Sequence, residues 1–442
     1  MRYWTDDLLS ALMSKLGVII ALSSATLQGM LLPGAGQTAG KKDGADGRAQ
    51  YKIIIGDNIP VTSRRPFLCT LAAWRDLSGH GPILVAVGNP YEKKPAVTVI
   101  ELKAGQAIVS ATGEEDSRFG ASLLAVGDIT GDGVTELAIG APGAEFSRGV
   151  VSILDGHDGR ELHRWLGSNP GDAYGTALAL TDVAGESGSV LPAMVIGAPC
   201  FGESHAGYIE VRRLWDGANL GSCQGLPGES FGFCLAVDRT PTSGGADIVV
   251  GAPGALNTHD LSEQDGAVYV VDGSTFLSRR RIDGGIGFGW SVCIARSFFT
   301  GGAETSCVVV GEVNLNSGKV IVLGGDDYAI LRAIPCPDAS DTCFNAKFGW
   351  KLANVGDCDG DGWDDVLVSA PQADSEESPD CGALTLVSVL KGTVLTQSFG
   401  QEPFFQIGWN LCMLPERAGS ARKQVAVSGK SAVTTVTIAR SE

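Results

Sequence analysis

FGASLLAVGDITGDGVTELAIGAP, residues 119–142, is the stretch that decides the fold. It opens on Phe119-Gly120, passes through a loop rich in Asp and Gly, and closes on Gly140-Ala141-Pro142. The same frame returns at Tyr174-Gly175 with Gly197-Ala198-Pro199, and at Phe231-Gly232 with Gly251-Ala252-Pro253. It returns again at Phe288-Gly289 with Gly311-Glu312-Val313, and at Phe348-Gly349 with Ser369-Ala370-Pro371. Two weaker copies bracket these, Phe67 with Gly88-Asn89-Pro90 and Ile407-Gly408 with Ser428-Gly429-Lys430. The two halves of the motif lie 20 to 23 positions apart, and successive copies begin 52 to 60 residues apart. Seven copies at one period define a repeat protein, for which chain length says little about domain count.

Each period holds four strands. In the clearest copy they fall near 119–127, 136–139, 149–154 and 160–166, with a tight-hairpin signal at Asp155-Gly156. The second strands are unbroken apolar runs, as in Met194-Val195-Ile196-Gly197, which suits sheets covered on both faces. Four-stranded sheets at this period around an axis make a seven-bladed, all-β propeller. The motif aromatic wedges between blades, its glycine lets backbones converge near the axis, and Gly-Ala-Pro ends the second strand. Trp290, Trp350 and Trp409, each just after a motif glycine, are expected to be interblade core. The last copy supplies only three strands, near 407–414, 424–428 and 432–439. The β-branched segment 51–55 is therefore expected to complete it and close the ring.

Composition agrees. Gly makes up 61 of 442 residues, hydrophobics 44% and charged residues 19%, too apolar for disorder and suited to short strands and tight turns. A net charge of −17 without a basic stripe argues against nucleic acid. Residues 1–32 are expected to be a signal peptide or a membrane anchor. The stretch 16–32 is interrupted by Ser23, Ser24, Thr26 and Gln28 and falls short of the ~20 apolar residues of a membrane span. A start at Met13 would give a more ordinary n-region. Gly-rich 33–50 is expected to be a flexible linker, and 51–442 the propeller. The membrane enters only if the first segment stays uncleaved. Among eleven cysteines, Cys336 with Cys343 suits a local bridge and Cys200 with Cys223 could meet above one blade. Cys234, Cys293 and Cys412 are expected as buried thiols.

Paired aromatic-Gly and Gly-Ala-Pro elements resemble the FG-GAP repeats of integrin α-subunits and of many bacterial exported proteins. The resemblance covers about 51–442 and is specific in the copies at 119 and 348. It implies an exported protein, secreted or at the cell surface, whose loops opposite the metal-bearing hairpins contact partners.

Two of those hairpins carry the chemistry. Asp357-Cys358-Asp359-Gly360-Asp361-Gly362-Trp363-Asp364-Asp365 places carboxylates at positions 1, 3, 5 and 9. Gly362 permits a left-handed turn that presents the Trp363 carbonyl, and Asp365 is the expected bidentate group. Hard oxygens at this density suit Ca²⁺, which takes about 6–8 of them. The acid at position 9, where an EF-hand has its acid at 12, matches the calcium loop of FG-GAP blades. Asp128-Ile129-Thr130-Gly131-Asp132-Gly133-Val134-Thr135-Glu136 is a second, less charged version. Its ligands would be Asp128, Thr130, Asp132, the Val134 carbonyl and Glu136, with lower affinity. The first copy keeps Asp76 and Ser78 but has His80 and Leu84 for the later acids, and the last has Glu416 alone. The third, fourth and fifth copies lack an adequate set despite Asp182, Asp238 and Asp247. Two calcium sites with a structural role are expected.

His80, His157, His163, His205 and His259 fall in different repeats, and no nucleophile elbow, phosphate loop or zinc spacing occurs. The chain therefore reads as a non-enzymatic binding or adhesion module for a protein or glycan partner. Its contact loops would be 143–148, 201–206, 255–266 and 372–381. The alternatives are an enzyme acting on a polysaccharide through a site in the central funnel, and a structural component of a cell-surface assembly.

Overall fold

In a computed structural model, residues 51–60, 69–75, 81–104, 106–184, 189–200, 205–239, 246–254, 266–297, 305–314, 317–324, 327–337, 346–415, 422–430 and 432–440 are described. The expected leader and linker, 1–50, lie outside them, as do Phe67, Asp76, Ser78, His80, His259, Cys343, Glu416 and most of 255–266.

Seven sheets of four antiparallel strands each make up the fold. In six of the sheets the four strands follow one another in sequence order, and in the seventh three do. The first strand of each blade packs on the first strand of the next, and blade one closes on blade seven. In blade two the strands are Ser122–Gly127, Glu136–Ala141, Val150–Leu154 and Glu161–Leu166. Blade seven takes Asn410–Met413, Lys423–Ser428 and Ala432–Arg440 from the chain end. Its outer strand is Tyr51–Pro60, antiparallel to the last strand from Tyr51↔Arg440 to Pro60↔Ala432. The closing strand thus extends five residues beyond the apolar segment, across an irregularity between Ile55 and Asn58.

Burial peaks in the second strand. Every residue of Glu136–Ala141 and Asp365–Ala370 is buried, because a neighbouring sheet covers both faces. The first strands are mostly half-buried, since they line the axis. Motif aromatics fill the blade interfaces: Phe231 and Phe348 are buried, and Tyr174 is buried with its hydroxyl donating to Glu210 at 2.8 Å.

Both motif glycines have a measurable cause. Gly120, Gly175, Gly232, Gly289, Gly349 and Gly408 all take φ between 86° and 106°, a left-handed region that side chains disfavour. At the other motif half, a Cβ on Gly140, Gly197, Gly251 or Gly311 would fall 2.1–2.2 Å from the carbonyl oxygen of the next blade's motif glycine. Beside this approach the ring is stitched. Ser122 Oγ donates to the Gly175 carbonyl at 2.7 Å, Ser291 Oγ to Gly349 at 2.7 Å, and Cys234 Sγ to Gly289 at 3.1 Å. Thr70 makes the same bond to Gly120.

Ten cysteines are described, all as free thiols. Cys200 and Cys223 do not meet in a bridge, because Cys223 lies within the outer strand Asn219–Gln224 while Cys200 sits beyond the end of the second. Cys293 and Cys307 are buried, and desolvation pushes each thiol up to about 12, so they are inert core residues.

Candidate metal centre

In blades one to six the connections joining strands one to two and three to four emerge at the same end of the sheet. In blade six the first of these is the acidic nonapeptide between Leu352–Gly356 and Asp365–Ala370. Gly360 and Gly362 take φ of 76° and 86°, which folds the loop back on itself. Asp357 accepts from the Gly360 and Gly362 amides at 2.6 and 2.9 Å. Asp359 accepts from the Asp361 amide at 3.0 Å, and Asp361 from that of Trp363 at 3.0 Å. This chain of aspartate-capped turns gathers one oxygen each of Asp357, Asp359 and Asp361 within 4.8 Å of one another.

Asp365 sits beneath them, wholly buried at the start of the second strand. Its Oδ2 accepts from the Cys358 and Asp359 amides at 2.8 and 3.2 Å, while its Oδ1 is buried without a partner. Burial first, and then the charges of Asp359 and Asp361, push its carboxyl up to about 7. An orphaned buried carboxylate oxygen beside three converging carboxylates is an arrangement short of positive charge. Its donors are all hard oxygens, which fits a divalent cation such as Ca²⁺.

Lys391, in the second hairpin of the same blade, supplies part of that charge. Its ammonium lies 2.6 Å from Asp359 Oδ2 and 3.2 Å from Asp361 Oδ2, and Ser388 Oγ donates to Asp361 at 3.0 Å. Neither residue follows from the nonapeptide alone, but the propeller topology puts both hairpins at one end. Asp364, the remaining carboxylate of the loop, accepts from the Arg296 amide at 3.0 Å and from Asn354 at 2.6 Å, tying the loop to blade five.

In blade two, Asp128, Asp132 and Glu136 likewise converge within 4.8 Å. Asp128 accepts from the amides of Gly131, Asp132 and Gly133, the last of which does most to hold its carboxyl below the usual range. Glu136, wholly buried, is satisfied at both oxygens, by the Ile129 amide at 2.7 Å and the Thr130 hydroxyl at 3.0 Å. Thr130 therefore spends its hydroxyl inside the loop. Val134 occupies position 7 with its amide donating to Asp132 at 2.8 Å. Blade two keeps the shape and lacks the orphan.

Elsewhere arginines answer the acids. Arg239 lies 3.3 Å from Asp182, and Arg279 pairs with both Asp247, at 3.3 Å, and Asp272. Asp238 is held by the Ser306 hydroxyl. Among the described residues, the two acidic loops are the places where three or more His, Cys, Asp or Glu ligand atoms converge. His163 stacks on Trp165 at 5.7 Å, and His205 is lowered by burial in its loop.

The FG-GAP repeat family matches residues 119–154 and 348–387, the halves of blades two and six that hold the acidic loops. The chain carries FG-GAP repeats. It is 30% identical over 209 residues to integrin alpha-5 of Xenopus laevis, a match that covers 44% of this chain and 19% of that protein. It is 28% identical over 170 residues to integrin alpha-V of Gallus gallus, covering 36% of this chain and 16% of that one. Human integrin alpha-IIb is 39% identical over 92 residues, 21% of this chain and 8% of its own. The FG-GAP propeller is thus integrin-α-like, and each match spans less than a fifth of the relative's length. Among the described residues no helix is long and apolar enough to cross a membrane.

Proposed function

We propose that this FG-GAP propeller is an exported binding or adhesion module for a protein or glycan partner, stabilised by calcium in blades six and two. Asp357, Asp359, Asp361 and Asp365 would hold the blade-six ion, with the Trp363 carbonyl. Asp128, Asp132 and Glu136 would hold the blade-two ion, with Thr130 and the Val134 carbonyl. The observation that carries the reading is the buried, unpartnered Asp365 Oδ1 beneath three converging carboxylates. Calcium would pin the polar hairpin to the strands it joins, and its binding energy would add to folding stability. The partner would dock at the opposite end, where the loops between blades and those joining strands two and three emerge. Support comes from the apolar side chains those loops expose, Phe146 at 90% and Phe404 at 51%. Residues 1–50 would serve as the export signal and linker.

Calorimetry of the chain with calcium is the test, comparing the parent with Asp361→Ala. A loss of the tighter binding step and of calcium-dependent thermal stability is expected. Unchanged binding in the variant would remove blade six as the site. A glycan array and a surface-protein capture on the same chain then address the partner.

A further inference from the structure

Exposed apolar side chains ring the end of the propeller that carries the acidic loops. Ile108, Trp215, Leu277, Ile330 and Leu390 are between 39% and 69% exposed. Each lies in the connection between strands three and four of its blade, or at the start of the outer strand that follows. They belong to blades one, three, four, five and six in turn. Equivalent places in these blades put the five side chains at one level around the rim. Blade two has the polar tip Gly156-His157-Asp158 there. Blade seven has no such connection, because its outer strand is Tyr51–Pro60.

Several cations beside these tips are already paired. The Arg213 guanidinium bonds Asp216 at 2.8 Å and covers one face of the Trp215 ring, 4.6 Å from its centroid. Arg279 pairs with Asp247 at 3.3 Å, close in sequence to Leu277, and Lys391 with Asp359 at 2.6 Å, next to Leu390. These groups are not spare for an anionic surface, which a net charge of −17 would also repel. The strand Ala432–Arg440 runs from its hairpin at the opposite end to Arg440 at the ringed end, where Tyr51 pairs with Arg440. Residues 1–50, with their interrupted apolar stretch 16–32, are therefore attached to the propeller at the ringed end.

A protein partner covers one contiguous patch, whereas apolar tips spread over five blades at one level are met together by a flat, extended surface. Tryptophan suits the boundary layer of a bilayer, because its ring has an apolar body and a polar edge. We propose that the acidic-loop end of the propeller rests on a neutral, zwitterionic lipid surface. The tips of blades one and three to six dip into the interfacial layer, as amphipathic elements lying on a membrane do. The opposite end, with the loops proposed above for a partner, then faces away from the membrane. None of the five side chains belongs to an acidic loop, so the contact does not depend on the calcium reading.

The test is flotation of the whole chain with phosphatidylcholine vesicles. The rim variant combines Trp215→Ser, Leu277→Ser and Leu390→Ser, and a control at the opposite end combines Phe146→Ser, Leu226→Ser and Phe404→Ser. The parent is expected to float, the rim variant to partition at least about tenfold less, and the control to match the parent. All six side chains are exposed, so melting temperatures should hold. The proposal is overturned if the parent does not float, if the rim variant floats as the parent does, as binding through 16–32 alone would give, or if the control loses as much. Sedimentation without lipid addresses a second copy on the same face: a dimer in the parent that the rim variant loses would assign the rim to self-association and overturn the proposal. A separate readout covers misfolding of the triple variant. Bromolipid vesicles should quench tryptophan emission in the parent more than in Trp215→Phe, and equal quenching would overturn the lipid contact.

Discussion

Lys391 stands where a divalent ion's charge would be needed, so replacing it by methionine should tighten the calcium binding proposed for blade six. Its ammonium bridges Asp359 and Asp361, whose side chains are only 4% and 9% exposed, while the lysine itself is 48% exposed. A hydrogen bond to a charged group is worth about 1.5–3 kcal/mol, and an exposed ion pair about 0–1. The half-exposed lysine places this contact between those ranges, at about 1–2 kcal/mol. Were the ammonium to stay about 5 Å from a bound divalent ion, repulsion at an effective dielectric of about 20 would cost about 7 kcal/mol. Swinging out into water is cheaper, so the lost contact sets the penalty on calcium binding. Lys391→Met should therefore raise the affinity of the tighter site by about 5- to 30-fold. Calorimetry reads this directly. Melting in chelator should show the variant less stable than the parent, because the carboxylates then repel one another with no cation between them. In saturating calcium the two should converge. An affinity unchanged or weakened by Lys391→Met would refute the competition between lysine and metal for the same oxygens.

Four further outcomes follow from the fold. Gly140→Ala places a Cβ 2.1 Å from the Gly175 carbonyl and 2.2 Å from Ser122 Oγ, so it should cost about 3 kcal/mol in chemical denaturation. Gly159→Ala, with φ of 75° and nothing nearer than 3.9 Å, should cost only about 1 kcal/mol. Deleting 51–60 removes the outer strand of blade seven and the part-buried Tyr51, Ile53 and Ile55, a loss of about 3–5 kcal/mol visible as a lower melting temperature. Lys347 is buried, and desolvation lowers it from 10.5 to about 8, so the unfolded chain binds the extra proton between those values. Its burial cost, about 3 kcal/mol at most, is present in full below pH 8 and fades as pH rises to 10.5. The parent should therefore gain stability as pH rises from 8 to 10.5 in urea titrations, a gain that Lys347→Met should lack. A pH-independent difference would contradict this.

Legibility tracked how much each feature depends on position along the chain. Phe119, Tyr174, Phe231, Phe288 and Phe348 recur at a fixed period because each must fill the same interface, so the blades and their four strands can be counted from sequence. Segment 51–55 is readable as the missing strand because it is rich in β-branched residues and the last copy supplies only three strands, yet Gly56, Asp57 and Asn58 carry no strand signal. The strand runs on through them because the last strand offers backbone partners as far as Ala432. Stitching by Thr70, Ser122, Cys234 and Ser291 was invisible, since a hydroxyl or thiol after the motif looks like any small residue until the neighbouring carbonyl is in place. Lys391 and Ser388 were missed for a related reason: they lie about 30 positions from the loop they serve, and only the shared end of two hairpins brings them to it.

A common demand links the blades. Each first hairpin crowds polar groups at one end of a sheet, and acids there need compensating charge. Blade four meets it with Arg279, bonded to Asp247 and Asp272. Blade six meets it in part with Lys391, which leaves Asp365 Oδ1 unsatisfied. In blade two Arg160 pairs with Asp155 of the second hairpin at 3.1 Å, and backbone amides with the Thr130 hydroxyl absorb much of the charge on Asp128 and Glu136 of the first. Metal dependence should follow what remains after this internal compensation. It should be absent in blade four, strong in blade six where a buried oxygen has no other partner, and weak in blade two where the closing acid is already satisfied. The order is set by residues outside the acidic motif as much as by the motif itself.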